Sequence, residues 1–396
     1  MLPHPGNFFL FLRTLFSMPG RARLKGIFTL VSLQLLALSV CNWAFMLLDR
    51  IFFPGINDVK PQKPVFIYGN ARSGTTLLEH LLFTHSNELT YQKTYEMMLP
   101  SIIQRKLISG IGSIDSLLFG GVMRKFIASA EQRATTEIRK IHPTSLDAPE
   151  EDEGMFAPLF ISPVFLLGAS PTSSLDRALK RFDDFSPSRQ RKVLNFYYAC
   201  IQRHLYCNGK TRRYCSKHVS SLRKITEQGL VESGNMWNLF PDATLIYLVR
   251  DPLETIPSTM NLMRTTWRGV GHTDLEDWML IYQSMFNALC TSYEWAADQH
   301  LNQWNGRDVK IVSYQTLKDN PLQTSLDIYN HLRLDISGID MDRLRHACKE
   351  SHTYAPASYS PEEFGLSDTI ILERTATFRR VFSDYLGKMD TLERIA

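Results

Sequence analysis

The hydrophobic residues of this chain follow two patterns. Over 26–48 (GIFTLVSLQLLALSVCNWAFMLL) they form a run of 23 residues without a charge. Beyond Pro64 they return in short bursts separated by polar, amphipathic stretches. The first burst, Val65-Phe66-Ile67-Tyr68, is rich in β-formers, as a strand buried on both faces is. Gly69 ends it, and after Gly74 the spacing becomes helical, with Leu77, Leu78, Leu81 and Leu82 on the apolar face. Further strands are predicted over 214–216, 244–249 and 309–312. Helices are predicted over 107–140, over 190–206 after the start signal Ser186-Pro187-Ser188-Arg189, and over 277–298, where Trp278, Tyr282, Phe286 and Tyr293 read as core. The segment 160–190 is irregular and rich in Ser and Pro, which suggests a mobile lid. The pattern predicts an α/β fold with a central parallel sheet.

The uncharged run is long enough to cross a bilayer core and too long for the usual hydrophobic part of a signal peptide. Arg13, Arg21, Arg23 and Lys25 precede it, and Asp49 and Arg50 follow. That basic excess favours a cytoplasmic N-terminus and a single-pass anchor, with the rest of the chain across the membrane. In a eukaryotic cell this would face the Golgi lumen. Trp43 suits an interfacial aromatic belt. A second reading stays open, a buried or interfacial helix, because Gln34, Asn42 and several serines dilute the run. Residues 8–16 add an amphipathic stretch around Arg13. The expected organisation is therefore 1–25 as a basic, amphipathic segment, 26–48 as membrane anchor, 49–63 as linker and 64–396 as catalytic domain.

Composition narrows the class. With 396 residues, 44% of them hydrophobic and 21% charged, the chain is neither disordered nor repetitive. A net charge of +4 spread over this length does not describe a nucleic-acid binder. The six cysteines match no zinc spacing, although Cys200, Cys207 and Cys215 allow one disulfide in an oxidising compartment. The absence of an Asn-x-Ser/Thr sequon speaks against a long secretory passage.

The turn after the first strand carries the chemistry. A glycine-bracketed loop at a helix N-terminus aims backbone N–H groups and the positive helix end at one point, which is an anion site. Gly69 to Gly74 has the G-x-x-x-x-G spacing of a nucleotide loop, but Thr75-Thr76 follows where a kinase needs lysine. A cation, Arg72, lies inside the loop instead. From Pro64 to Thr76 the chain resembles the 5′-phosphosulfate loop of the sulfotransferases, P-x-x-x-x-G-x-x-R/K-S-G-T-T. The resemblance extends to Arg250-Asp251-Pro252 at the end of the predicted 244–249 strand, with Ser258 eight residues after Arg250, the family's 3′-phosphate block. Segment 314–321 (YQTLKDNP) and the tail 377–389 are also similar, and Arg379 and Arg380 there read as a second-rank phosphate contact or a solvated basic face.

The resemblance implies a P-loop-like three-layer fold and 3′-phosphoadenosine 5′-phosphosulfate (PAPS) as co-substrate, with no metal. Its implied donor contacts are Asn70, Ala71, Arg72, Ser73, Gly74, Thr75, Thr76, Arg250 and Ser258. Arg72, Thr75 and Lys217 would stabilise the leaving phosphate, with Glu96 as first and His218 as second candidate for the base. Lys217 and His218 are adjacent here, where the family spaces its lysine and histidine apart, so on a strand they face opposite sides. The acidic segment Asp147, Glu150, Glu151, Asp152 and Glu153 reads by itself as a solvated loop or a helix N-terminus; the resemblance makes His142 and Glu151 candidates for acceptor contacts. The acceptor would be a small molecule, a lipid or a carbohydrate. Two other readings are a kinase using ATP with Mg²⁺, and a non-catalytic nucleotide-binding membrane scaffold.

Overall fold

The computed structural model describes residues 1–17, 22–139, 145–162, 185–218, 239–269, 278–351 and 359–387. The lid expected over 160–190 lies mostly outside them, as does His142. At the centre is a five-stranded sheet, β1 (Val65–Gly69), β2 (Leu89–Thr90), β3 (Arg213–His218), β4 (Thr244–Val249) and β5 (Asp308–Ser313). All neighbours are parallel and the order is β2-β3-β1-β4-β5. The central β1 is buried at every position. Val65 and Ile67 face one apolar core with Ile246 and Leu248, while Phe66 and Tyr68 face the other with Leu245 and Tyr247. An apolar core on each face makes the molecule three-layered.

The helices are α1 (Pro5–Ser17), α2 (Ala22–Phe52), α3 (Thr75–Phe83), α4 (Thr94–Met98), α5 (Ile102–Phe119), α6 (Val122–Arg139), α7 (Pro187–Asn208), α8 (Pro252–Gly269), α9 (Trp278–Leu301), α10 (Tyr314–Asp319), α11 (Pro321–His331), α12 (Met341–Ser351), α13 (Asp368–Arg374) and α14 (Ala376–Val381). Helices α3, α11 and α12 cover one face of the sheet and α7, α8 and α9 the other. The aromatics of α9 are core, as their spacing predicts. The third strand is longer than expected, and Lys217 and His218 belong to it, because β3 pairs with β1 as far as Tyr68 opposite His218.

Helix α2 holds 28 residues, Lys25–Phe52, long and apolar enough to cross a membrane. It runs past the expected boundary into the supposed linker, where a 3-10 turn, Pro54–Ile56, follows. Asp49 is therefore not a flanking charge in water. It is wholly buried, paired with Arg203 of α7 at 2.8 Å, and accepts from the backbone N–H groups of Ile102 and Ile103 at the start of α5. All six cysteines are free thiols, which corrects the disulfide considered for Cys200, Cys207 and Cys215. Cys200 and Cys215 are buried in the two cores on opposite sides of the sheet.

Candidate active site

The strand order places β1 where the chain turns from one side of the sheet to the other. Open α/β sheets leave a crevice at such a point, outside the strands' C-terminal ends. Here that crevice receives the 70–74 loop from β1, Lys217 from β3 and Arg250 from β4.

The loop is tight and largely buried, with Asn70, Ser73 and Thr75 almost inaccessible. The Ser73 N–H donates to the Asn70 carbonyl at 3.1 Å. Gly74 has φ +93°, and a Cβ there would lie 2.5 Å from the ring of Tyr314. Arg72 is left-handed too, φ 65°, a conformation that costs a non-glycine residue about 1–2 kcal/mol. Two contacts hold it there. Its Nε donates to Ser258 Oγ at 3.1 Å, and its carbonyl accepts from Arg250 Nη1 at 2.9 Å. Thr259 Oγ1 adds a bond to the Ala71 carbonyl at 3.2 Å. Two sequence blocks almost 180 residues apart thus form one wall, and the strained residue sits at its centre.

Arg250 is fixed by Glu254 at 2.7 Å and lies 4.1 Å over the Tyr314 ring. A further contact beside this wall comes from the tail. Arg379 is buried and bonded to Asp251, so it is no solvated basic face, whereas Arg380 is exposed.

Lys217 meets this wall from the other side. It is 1% exposed. Its Nζ donates to Thr76 Oγ1 at 3.1 Å, in the first turn of α3, and stands 3.2 Å from Glu79. Glu151 and Glu150 lie 3.6 and 3.7 Å from the same Nζ. Burial by itself would pull the ammonium's pKa down. The charges of Glu79, Glu151 and Glu150 outweigh it, and the pKa ends above the ordinary lysine value. A lysine missing from the loop sequence is in effect supplied by the neighbouring strand, and it is cationic at any physiological pH.

The acidic segment is not a solvated loop. Among its members Asp147 is exposed, while Asp152 and Glu153 are buried. Asp152 is 1% exposed and accepts hydrogen bonds from Tyr197 and Tyr214. Burial pushes its carboxyl up to about 7 against the pull of these hydroxyls. The buried 3-10 segment Asp152–Leu159 follows and keeps Glu150 and Glu151 turned toward Lys217.

Glu96 is held elsewhere. It lies in α4, is ion-paired with Arg105 of α5 and has the His204 ring of α7 beside it, both at 3.4 Å. Burial raises its pKa, but the His204 hydrogen bond and the Arg105 charge dominate and hold the carboxyl at about 2. His204 is pulled down to about 4, by burial first, and shares Thr90 Oγ1 at 2.8 Å. His218 is placed by its strand register alone, since its side chain lies outside the described residues. Among the described residues no group of three or more His, Cys, Asp or Glu side chains could hold a metal ion.

Residues that the sequence did not single out are Glu79, Tyr314, Glu254 and Thr259. Glu79 had a readable signal, since it follows Thr76 by three helical positions and so shares its face. Tyr314 stands at the head of the YQTLKDNP segment, but nothing in that segment says that its ring covers Gly74.

Fold alone does not define a function; sequence comparison supplies the class. The Sulfotransferase family model matches residues 64–338, well over half of the chain. The chain belongs to that family. The fold is similar to the crystal structure of sulfotransferase STF9 from Mycobacterium avium, with TM-score 0.69, 17% identity, and coverage of 99% of this chain and 97% of that one. It is also similar to sulfotransferase STF1 from Mycobacterium tuberculosis H37Rv, with TM-score 0.63, 16% identity, and coverage of 93% and 92%. At these identities the likeness is one of fold. No protein of curated function matches the sequence.

Proposed function

We propose that this transferase moves a sulfuryl group from PAPS to a hydroxyl or amine acceptor by in-line displacement. The observation that carries this reading is Lys217 at Thr76, opposite Arg72. The 70–74 loop and the N-terminus of α3 would receive the 5′-phosphosulfate, with Gly74 leaving room for close approach of the backbone. Arg250 and Ser258 would take the 3′-phosphate through a charge-assisted and a neutral hydrogen bond. The acceptor oxygen or nitrogen attacks sulfur as the bond to the bridging oxygen breaks. The electron pair goes to the 5′-phosphate, where Lys217 and Arg72 stabilise the added charge.

The acceptor's proton needs a general base. Glu96, first in the sequence reading, is a poor proton acceptor at about 2 with Arg105 and His204 on it. Glu150 and Glu151 are each 20% exposed by side chain and lie 3.7 and 3.6 Å from Lys217. We assign the base to this pair, Glu151 first. Helix α2 brings the enzyme to a membrane. The test is transfer from sulfur-labelled PAPS in EDTA to a panel of lipid, glycan and small-molecule acceptors. Arg72→Ala and Lys217→Met should each lose at least about a hundredfold, the usual worth of one group that stabilises developing charge. Turnover near wild type in both would refute the loop chemistry, and turnover of ATP that needs Mg²⁺ would replace it with a kinase.

A further inference from the structure

Helix α2 is docked along the protein over most of its length. Ser32, Leu35, Ser39, Asn42, Met46 and Asp49 recur at alternating steps of three and four, so they form one stripe. Leu35 packs with Phe11, Leu15 and Phe160, and the other five are buried. At its C-terminal end the stripe is bonded in place. Asn42 donates to the Met98 carbonyl and accepts from Gln104, both at 2.8 Å, and Asp49 takes the Arg203 pair and the start of α5. The polar residues that dilute the apolar run are thus the docking seam. From Ser32 to Asp49 a helix is about 26 Å long, close to the hydrocarbon thickness of roughly 30 Å. A helix docked over that length cannot cross the bilayer while its domain stays in water, since the Asp49–Arg203 pair and the end of α5 would have to enter hydrocarbon with it. The likeness to STF9, over 99% of this chain, includes these helices in the fold.

The outward faces are apolar. On α2 they include Leu30 and Ile51, 58% and 71% exposed, and on α1 Phe9, 65% exposed. Rooted at Asp49 is a second apolar element, the α5–α6 hairpin, bent by 115°. Its tip exposes Leu117, Leu118, Phe119, Val122 and Phe126, with Leu117 at 83%. The tip is a built turn, because the buried Asp115 carboxylate accepts from the N–H groups of Met123 and Arg124, both at 3.0 Å. Around the exposed apolar faces the charges are mostly basic. Residues 1–48 contain no Asp or Glu, and Asp115 is the sole carboxylate between 102 and 130. Arg13, Lys25, Arg124 and Lys125 complement anionic headgroups. The far end of α6 leads back to the site. Glu131 accepts from the Leu146 N–H at 2.7 Å, four residues before Glu150, and α6 packs against α8, which carries Ser258.

We propose that α1, the outward face of α2 and the α5–α6 tip lie together in one leaflet of an anionic membrane, without crossing it, and that the acceptor is a membrane-borne lipid bearing a hydroxyl or amine. The choice of acceptor rests on the sulfotransferase reading; the insertion does not.

The full chain is tested on sealed phosphatidylcholine vesicles with and without phosphatidylglycerol. An N-terminal epitope and the catalytic domain should both be open to protease added outside, and an epitope protected inside would overturn the proposal in favour of a single-pass anchor. The variant Leu117→Ser/Leu118→Ser/Phe119→Ser should partition at least about tenfold less into the phosphatidylglycerol vesicles. It should keep the wild-type melting shift with 3′-phosphoadenosine 5′-phosphate, which shows that it is folded. Unchanged partition overturns the hairpin's part. So does a wild-type chain that forms a stable dimer in solution and ignores the vesicles. Label from PAPS should pass to a product extractable into organic solvent. Label found solely in water-soluble products overturns the lipid acceptor, while vesicle binding with no transfer to any acceptor tells against the sulfotransferase reading and leaves the insertion standing.

Discussion

Gly74→Ala tests whether the loop's shape is set by Tyr314. The backbone at Gly74 has φ +93° and an added Cβ would lie 2.5 and 2.6 Å from two ring carbons of Tyr314. The left-handed backbone alone costs alanine about 1–2 kcal/mol. The ring must also retreat by roughly 1 Å, at an overpacking cost of about 1–3 kcal/mol. It cannot do so freely, because it stacks under Arg250, whose Nη1 holds the Arg72 carbonyl. Gly74→Ala should therefore lose about 2–5 kcal/mol in urea unfolding and most of the melting shift with 3′-phosphoadenosine 5′-phosphate. Tyr314→Ala alone loses ring packing and a cation–π contact worth about 0.5–1 kcal/mol. In the double variant the clash is gone and the backbone term remains, so the two losses should fall short of additivity by about 1–3 kcal/mol. The bisphosphate shift should partly return. Losses that add within about 0.5 kcal/mol would refute the claim that Tyr314 sets the space above the loop.

Asp49→Ala should cost about 3–5 kcal/mol, because it leaves Arg203 charged and buried without its partner; a loss below 1 kcal/mol in unfolding would show that α2 is not fastened there. Stability should respond to pH through two opposed buried groups. Asp152, raised from 3.8 to about 7, binds its proton in the native state first, so its contribution is present below about 4 and is lost as pH rises to 7. His204, lowered from 6.5 to about 4, is the reverse, and its neutral form contributes stability that is lost as pH falls from 6.5 to 4. Asp152→Asn should therefore steepen the rise of stability between pH 4 and 6.5, and His204→Gln should flatten or invert it; identical slopes in both variants would contradict the assignments. Glu151→Gln should lower kcat by about a hundredfold or more with little change in bisphosphate binding, and a larger effect from Glu96→Gln on kcat, with folding intact, would return the base to Glu96.

The sequence was most informative where one segment carries both structure and chemistry. The 64–76 block contains a strand, a turn that needs Gly74, and a helix start, so its fold and its candidate anion site are the same pattern. The 244–258 block is legible for the same reason. What could not be read depends on pairs of distant residues. The Lys217 position follows from the register of β3 against β1, and its carboxylates come from α3 and from the 150–151 segment. Of the two readings of the acidic segment, the helix N-terminus is the nearer, since a 3-10 helix starts at Asp152, while the solvated loop fails there because Tyr197 and Tyr214, from α7 and β3, bury Asp152. Helix α2 is legible in part. Its uncharged length predicts the long apolar helix that is present, whereas the protein partners of Asn42 and Asp49, 56 and 154 residues away, are not readable from it. Propensity sees one helix at a time, and these contacts are set by tertiary packing.

The central claim is a PAPS-shaped donor site, and thermal unfolding of the full chain with 3′-phosphoadenosine 5′-phosphate, AMP and ATP tests it most directly, first in EDTA and then in Mg²⁺. A ligand at a hundred times its Kd stabilises the native state by about 2.7 kcal/mol, enough to move a melting curve. Such a site gives a shift with the bisphosphate that is independent of metal, little shift with AMP, and loss of the shift in Arg72→Ala and Arg250→Ala. A shift seen with ATP and Mg²⁺ alone would contradict it.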